Sequence, residues 1–516
     1  MVLWRVFKKV AGMISANANK KTLDRPEIAN NLKSVFDSFH SEKIFYCYWK
    51  SSLRLQSALA GNGDVDLLIS RDHQHRAIRV LLMNGFKAFP AVSSREHPAV
   101  SSYLGYDEES GRLFHLHLHV RLVVGEPLLK NYRVPWEAVL LDRAQMHPEL
   151  GVRHLDPAGE VLLLAVRDCL ENSRLDPVSF RARRAITAKF DRDRKYLAAC
   201  VDRNELHSLA SSLVDDDFAD LVGQYVDGGV AAKGQTEMGQ RIRAFLAPYR
   251  SYNAFEARLR SVWRAALWGF GGANKFFIQA PRPWSRKVPG GGRVIALLGV
   301  DGSGKTTAMT TMRAWLGAEI DVMPIYFGTG EGRPSLILLP LKLLVPLASR
   351  FIKTKPKGSS HGNVSDKKPG ALYTLLLTLW AVVLAIEKQQ KLKAAHRGAS
   401  RGLLVIADRY PQNENLDYND GPLLARLDLV PQWARRFESK AYARARQLPP
   451  DLVIKLVATP ETAFRREPTM RQDLVRARIA AVGRLTFPGA RVVVIDAEQP
   501  LAEEMRAIKA EIWRIL

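Results

Sequence analysis

Nine consecutive residues, Gly299-Val300-Asp301-Gly302-Ser303-Gly304-Lys305-Thr306-Thr307, fit the spacing G-x-x-x-x-G-K-[ST] with every required residue type in place. The glycines let backbone N–H groups crowd around phosphate oxygens, Lys305 can reach the outer phosphates, and Thr306 offers a hydroxyl to Mg²⁺. Far upstream, Gly63-Asp64-Val65-Asp66-Leu67-Leu68-Ile69 sets two carboxylates in alternation at the start of an apolar run. Residues i and i+2 of a strand share a face, so Asp64 and Asp66 can chelate one Mg²⁺ that also holds a triphosphate. A second alternation, His115, His117 and His119, puts three imidazoles on one face. Imidazole ligates metals but brings no negative charge, so the trio reads as a polar sheet face or as a transition-metal site.

Chemistry at these positions needs elements to hold it. The apolar run Val294 to Leu298 reads as a buried parallel strand and Thr307 to Leu316 as a helix, which frames the glycine loop. A second strand, Val322 to Phe327, ends in the turn Gly328 to Arg333. A third, Leu403 to Ala407, delivers Asp408-Arg409-Tyr410. An Asp there can hold the Mg²⁺ shell or accept a hydroxyl proton, and the Arg can bridge donor and acceptor phosphates. Strands at Leu452 to Val457 and Val492 to Asp496 follow, the first leading into Thr459-Pro460-Glu461 and the pair Arg465-Arg466. Strands alternating with helices predict an α/β, doubly wound parallel sheet with its ligands at the carboxyl edge.

The chain has 516 residues, enough for two or three domains and a sizeable core. Its net charge of +24 is the anomaly and calls for an anionic partner: lipid surface, phosphorylated glycan or, less favoured, nucleic acid. Cys47, Cys169 and Cys200 lack metal-ligand spacing, and their odd number argues against a disulfide framework, which fits a cytoplasmic protein. Met1 to Ile14 is apolar but broken by Arg5, Lys8 and Lys9, so it reads as a basic amphipathic helix, packed on the domain or lying on a membrane surface. Helical spacing runs from Asp156 to Phe277, and the Pro- and Gly-rich stretch 281–292 reads as a linker. Leu336 to Ile352 and Ala371 to Ile386 are marginal for a membrane span and read as buried or surface-lying helices. Lys353, Lys355, Lys357, Lys367 and Lys368 between them compose a loop able to embrace an anion or lipid surface.

Two resemblances add to this reading. Lys50-Ser51, Asp64 to Ile69, Asn84-Gly85-Phe86 and His117-Leu118-His119-Val120-Arg121-Leu122 resemble a bacterial branch of the nucleotidyltransferase superfamily over about Lys43 to Val124, with His117 where that pattern has a third carboxylate. From Arg293 to Leu516 the chain resembles the thymidylate kinase group, through Asp301 in the loop, Asp408-Arg409-Tyr410, Pro450-Asp451, Pro460-Glu461 and the closing Ile495-Asp496. The glycine-loop spacing assigns Gly299, Asp301, Gly302, Ser303, Gly304, Lys305, Thr306 and Thr307 to ATP, with Thr306 and strand-end Asp408 on Mg²⁺, and this second resemblance likewise implies that Lys305 and Thr306 bind ATP and Mg²⁺. It also implies that Asp301 and Arg409 face the acceptor, and that lid arginines among Arg465, Arg466 and Arg471 neutralise transferring charge. Gly328-Thr329-Gly330-Glu331 and Pro411 to Asn415 differ from the group's thymidine-pocket segments, which points away from thymidylate.

The expected layout is an α+β nucleotidyltransferase-like domain (1–150), a helical domain (151–280), a linker (281–292) and a P-loop domain (293–516). The expected activity is Mg·ATP-dependent phosphoryl transfer to a sugar, glycan or lipid-linked acceptor in cell-envelope polysaccharide synthesis. A nucleoside monophosphate kinase and a non-catalytic ATP-binding regulatory module are the alternatives. At Asp64 and Asp66 a nucleotide- or glycan-binding remnant is preferred to active nucleotidyl transfer, with a structural role as the third reading; peripheral attachment at the inner membrane face and a homodimer stay open.

Overall fold

Residues 28–125, 128–171, 177–228, 232–328, 371–415, 421–426, 430–468 and 472–516 are described in a computed structural model, which divides into two units, Met1–Phe277 and Ile278–Leu516. The amphipathic segment Met1 to Ile14, the turn 329–333, the apolar stretch Leu336 to Ile352, the lysine loop and Arg471 lie outside the described residues. Among the described residues no helix is long and apolar enough to cross a membrane.

In the first unit, alternation sorts two cores. Strands β1 (Tyr46–Tyr48), β2 (Asp64–Ile69), β3 (Lys87–Ala88), β4 (Val100–Asp107), β5 (Arg112–His119), β8 (Gln145–Met146) and β9 (Arg153–His154) form one mixed sheet in the order β3-β4-β5-β2-β1-β9-β8. A separate hairpin pairs β6 (Leu122–Val124) with β7 (Tyr132–Val134). Val65, Leu67 and Ile69 of β2, with Phe114, Leu116 and Leu118 of β5, pack against helices α1 (Asn30–Ser41) and α2 (Gln74–Met83). The intervening residues, Asp64, Asp66, His115, His117 and His119, therefore occupy the other face.

That other face is roofed by helices. Cys47, Trp49 and Leu68 share one core with Leu140 of α3 (Glu137–Asp142), Leu162 and Leu163 of α4 (Pro157–Glu171), Phe190 of α5 (Pro177–Cys200), Leu206 of α6 (Arg203–Leu213), Phe218 of α7 (Asp216–Asp227) and Met238 of α8 (Ala232–Phe245), after which α9 (Ala254–Ala273) follows. The helical segment after Asp156 and the sheet share this core, since the apolar residues of β1 and β2 and those of the helices bury one another.

In the second unit, β10 (Arg293–Leu298), β11 (Val322–Tyr326), β12 (Leu404–Asp408), β13 (Leu452–Val457) and β14 (Arg491–Asp496) form an all-parallel sheet in the order β11-β12-β10-β13-β14. The order reverses at β10, so its carboxyl end lies at the crevice between β12 and β13. Connections include α10 (Lys305–Leu316), α11 (Ala371–Ser400), α12 (Gln432–Gln447), α13 (Pro460–Arg466), α14 (Gln472–Arg484) and α15 (Leu501–Ile515). The stretch 281–292 is fastened to this unit: the Trp284 and Ser285 amides donate to Asp321 at 2.7 and 2.6 Å, and the Gly292 amide donates to Ala399 O at 2.7 Å. A Cβ at Gly292 would sit 2.0 Å from Leu403 O, so glycine there serves close backbone approach.

Glu160 of α4 is buried, and one carboxylate oxygen accepts the Ser52 amide at 2.8 Å. Burial pushes its pKa up to about 7, against the pull of the Ser52 hydrogen bonds. Between pH 4.5 and 7 the folded chain then holds a proton that the unfolded chain has released, so stability falls as pH rises through this window. Glu160→Gln keeps the acceptor and removes the charge. It should stabilise the first unit by about 2 kcal/mol at pH 8. Calorimetric scans at pH 5 and pH 8 check this; a wild-type-like dependence in the variant would contradict it.

Candidate functional site

The glycine loop leaves β10 at Leu298 and enters α10 at Lys305, so its backbone surrounds the positive end of that helix. Gly302 and Gly304 take left-handed φ of +81° and +90°. A Cβ at Gly299 would lie 2.3 Å from Ser303 Oγ, and one at Gly302 would lie 2.7 Å from Ala463 O. This is a cradle of bare backbone. Ser303 and Lys305 are buried, Thr306 and Thr307 are exposed, and the Lys305 ammonium donates to Val300 O at 2.6 Å across the loop.

Asp301 is the focus of the charges. Arg409 donates to its Oδ1 at 2.5 Å, Arg478 Nη1 lies 3.7 Å from Oδ2, and Lys305 Nζ lies 3.9 Å from Oδ1. All three cations are buried, against one carboxylate that is 28% exposed. Asp301 thus gathers three cations from three different elements beside the glycine cradle. Arg409 adopts φ +67°, uncommon for a residue with a side chain, while its amide donates to Leu297 O at 3.0 Å. Asp408, the last residue of β12, stands beside Leu297 in the sheet register and is buried.

The arginine pair of α13 is placed differently. Arg466 donates to Gly302 O at 3.3 Å and to Ala497 O at 3.2 Å, tying the loop to the end of β14. Arg465 is exposed and reaches Thr462 Oγ1 at 3.3 Å. Thr459 caps α13 by accepting the Thr462 amide, and Pro460 follows as its first residue. Pattern reading missed Arg478 on α14, whose surrounding spacing is that of any amphipathic helix; it also missed buried Glu504, whose Oε1 lies 3.5 Å from a Cβ built at Gly304. The segment after β12 is used internally: Gln412 and Asn415 bond each other, and Glu414 accepts the Thr486 and Phe487 amides.

No family model matches the chain. It is 30% identical over 223 residues to a protein of Escherichia coli K12 named uncharacterized ATP-binding protein YghS, an alignment covering 42% of this chain and 90% of YghS. The chain belongs to the family of YghS. A second member, YghR of the same strain, also named an uncharacterized ATP-binding protein, is 28% identical over 234 residues, 43% of this chain and 86% of its own. More than half of the chain therefore lies outside the part it shares with YghS.

The first unit holds a second site. The parallel pairing of β2 with β5 sets Asp64 opposite His115 and Asp66 opposite His117. His115 Nδ1 lies 2.9 Å from Asp64 Oδ1, and His117 Nδ1 and His119 Nε2 each lie 3.2 Å from Asp66 Oδ1. Lys50 Nζ sits 2.8 Å from Asp66 Oδ2. Burial works against ionisation of Asp66, but Lys50, His117 and His119 together hold its pKa well below the ordinary value. Burial drives His119 down to about 3, so it is neutral. Lys50 and Arg167 flank the Trp49 ring at 5.5 and 5.7 Å, and Lys130 is lowered to about 8 by burial and by Lys50. Lys130 takes φ +51°, with neighbouring Asn131 bonded to the backbone of Tyr252 through both ends of its amide. Asp64 and Asp66 thus share a face with three imidazoles, and that donor set does not fit magnesium, a hard ion that prefers oxygen.

The Asp301 cluster yields a prediction. Asp301→Asn removes the carboxylate that Arg409, Arg478 and Lys305 share, and should destabilise the second unit by about 2 kcal/mol. Tripolyphosphate should restore its thermal transition toward wild type. A variant that melts like wild type without the anion, or gains nothing from it, would remove this electrostatic account.

Proposed function

We propose that the Ile278–Leu516 unit is an ATP-dependent phosphotransferase acting on a sugar, glycan or lipid-linked acceptor. The observation that carries this reading is the cluster of Arg409, Arg478 and Lys305 on Asp301 beside the glycine cradle. Membership of the YghS family, whose named members are ATP-binding proteins, supports the nucleotide. Oxygen donors at the helix start and the strand end, Thr306 and Asp408, fit Mg²⁺ and would hold it.

Bound Mg·ATP supplies the activated phosphoryl group; the chain supplies position and charge. Lys305 neutralises the outer phosphates, and the amides of Gly302 to Thr306 fix them at the positive end of α10. Arg409 and Arg478 sit where an anionic acceptor or the transferring group would take over from Asp301 as their partner. Exchanging one anion for another keeps these buried guanidinium groups paired throughout. Asp408 is placed to order the ion or to take the acceptor proton. The acceptor oxygen gains the bond to phosphorus as the bond to the ADP oxygen breaks. Peripheral attachment to an anionic membrane belongs to the same proposal: the net charge of +24 suits it, although Met1 to Lys9 and Lys353 to Lys368 lie outside the described residues.

Screening sugar, glycan, lipid-linked and nucleoside monophosphate acceptors with labelled ATP tests the reading. Lys305→Ala should cut turnover about a thousandfold in a folded protein. Arg478→Ala should cut it about a hundredfold while changing ATP affinity little. ATP binding without transfer to any acceptor would favour the regulatory module, and transfer to a nucleoside monophosphate alone would displace the glycan reading.

A further inference from the structure

The Asp–His face of the first unit has a donor set that magnesium does not explain. We propose that Asp64, His115 and His117 bind one divalent first-row transition ion of zinc-like softness, with Asp66 as a positioning residue behind His117. The site is independent of the phosphate loop, and no part of the phosphotransferase reading enters it.

The strand register makes the cluster. On parallel strands about 4.8 Å apart, side chains on one face stand side by side. Asp64 faces His115 in this way, and His117 follows two residues along the same face. The His115 and His117 rings are 4.1 Å apart, and one ligand atom from each of Asp64, His115 and His117 falls within 4.8 Å of the others. A tetrahedral ion with bonds of about 2.1 Å spaces its ligands about 3.4 Å apart, so the three donors need only small side-chain rotations to close on it.

Asp66 belongs behind the ion. Its Oδ2 is taken by Lys50 at 2.8 Å, and its Oδ1 by His117 Nδ1 and His119 Nε2 at 3.2 Å each. With the charge and both oxygens committed, Asp66 has little to offer a metal directly. Its hydrogen bond to His117 Nδ1 instead selects the tautomer and leaves the opposite ring nitrogen as the ligand. His119 is fully buried, edge-on to Trp49 with centroids 5.0 Å apart, and closes the rear of the site. The front is open, since the side chains of Asp64 and His117 are 47% and 19% exposed. Two imidazoles and one carboxylate with an open side is a donor set that keeps a coordination position for an exchangeable ligand. Imidazole donors select zinc, cobalt or nickel over magnesium and calcium.

The test uses untagged full-length protein stripped with a chelator and titrated with Co²⁺. Uptake of one equivalent with visible d–d bands, displaced by Zn²⁺ and not by a tenfold excess of Mg²⁺, is expected. Asp64→Asn and His117→Gln should each weaken Co²⁺ binding by at least about a hundredfold, and Asp66→Asn by about tenfold. Asp64 is exposed, so its variant can lose the metal without losing the fold. His147→Ala, on another part of the unit, should bind as wild type does. Absence of the bands in wild type, their persistence in Asp64→Asn and His117→Gln, or equal competition by Mg²⁺ would each overturn the proposal and leave a hydrogen-bonded ladder in its place.

Discussion

One carboxylate ties three elements of the second unit together. Asp301 gathers Arg409, Arg478 and Lys305, three cations drawn from the start of α10, the end of β12 and the middle of α14. Burying guanidinium groups is costly unless they are paired, so the positions of these elements are coupled through their common anion. The glycine loop is braced internally as well: the Lys305 ammonium and the Ser303 amide both donate to Val300 O, and Arg466 holds Gly302 O. A loop braced at both ends in this way is organised before any ligand arrives, which lowers the cost of binding one.

Much of this was legible in the sequence because its causes are local. Glycine spacing, an apolar five-residue strand ahead of it and a helix start behind it fix Gly299 to Thr307 without reference to the rest of the chain. The same holds for Asp64 and Asp66, where strand alternation alone decides that they share a face. What escaped depends on packing between distant segments. Arg478 sits on a helix with an ordinary apolar spacing, and only the closure of α14 over the loop brings it to Asp301. The helical segment after Asp156 carries a helical period, but its period says nothing about which sheet it covers. Its union with β1 and β2 through Trp49, Leu68 and Leu162 is a tertiary fact. The proline- and glycine-rich stretch 281–292 adds a tertiary fact of the same kind: such residues do not prevent docking, and Asp321 supplies acceptors for the amides of Trp284 and Ser285.

The two units build their candidate sites from different materials. In the second, backbone amides and a helix end do the work, and glycine is required because Cβ atoms would occupy the space. In the first, side chains do it: Lys50 and Arg167 flank Trp49, with carboxylates and imidazoles in register on β2 and β5. Substituting a histidine for a carboxylate on such a face removes a negative charge and offers a softer donor. The hydrogen bonds that Asp66 forms with His117, His119 and Lys50 show how the face balances this: one buried carboxylate is shared by two neutral rings and one cation.

The backbone of Arg409 bears on whether the Asp301 cluster is structural or functional. Consecutive residues of a strand point to opposite faces, so a sheet that ends in Asp408-Arg409 would ordinarily send the two side chains apart. The left-handed φ of +67° at Arg409 breaks that alternation and lets the guanidinium turn toward Asp301. A residue with a side chain adopts this conformation at a cost of about 1–2 kcal/mol. For fold stability alone the arrangement is a poor one, since an apolar residue with ordinary extended backbone would end β12 without strain and without a buried charge to pair. Strain of this kind persists where the surroundings over-determine it, here through the Arg409 amide on Leu297 O and the carboxylate of Asp301. The strain and the buried charge together place a cation at the carboxyl edge of the sheet beside the glycine cradle, where a ligand phosphate can use it.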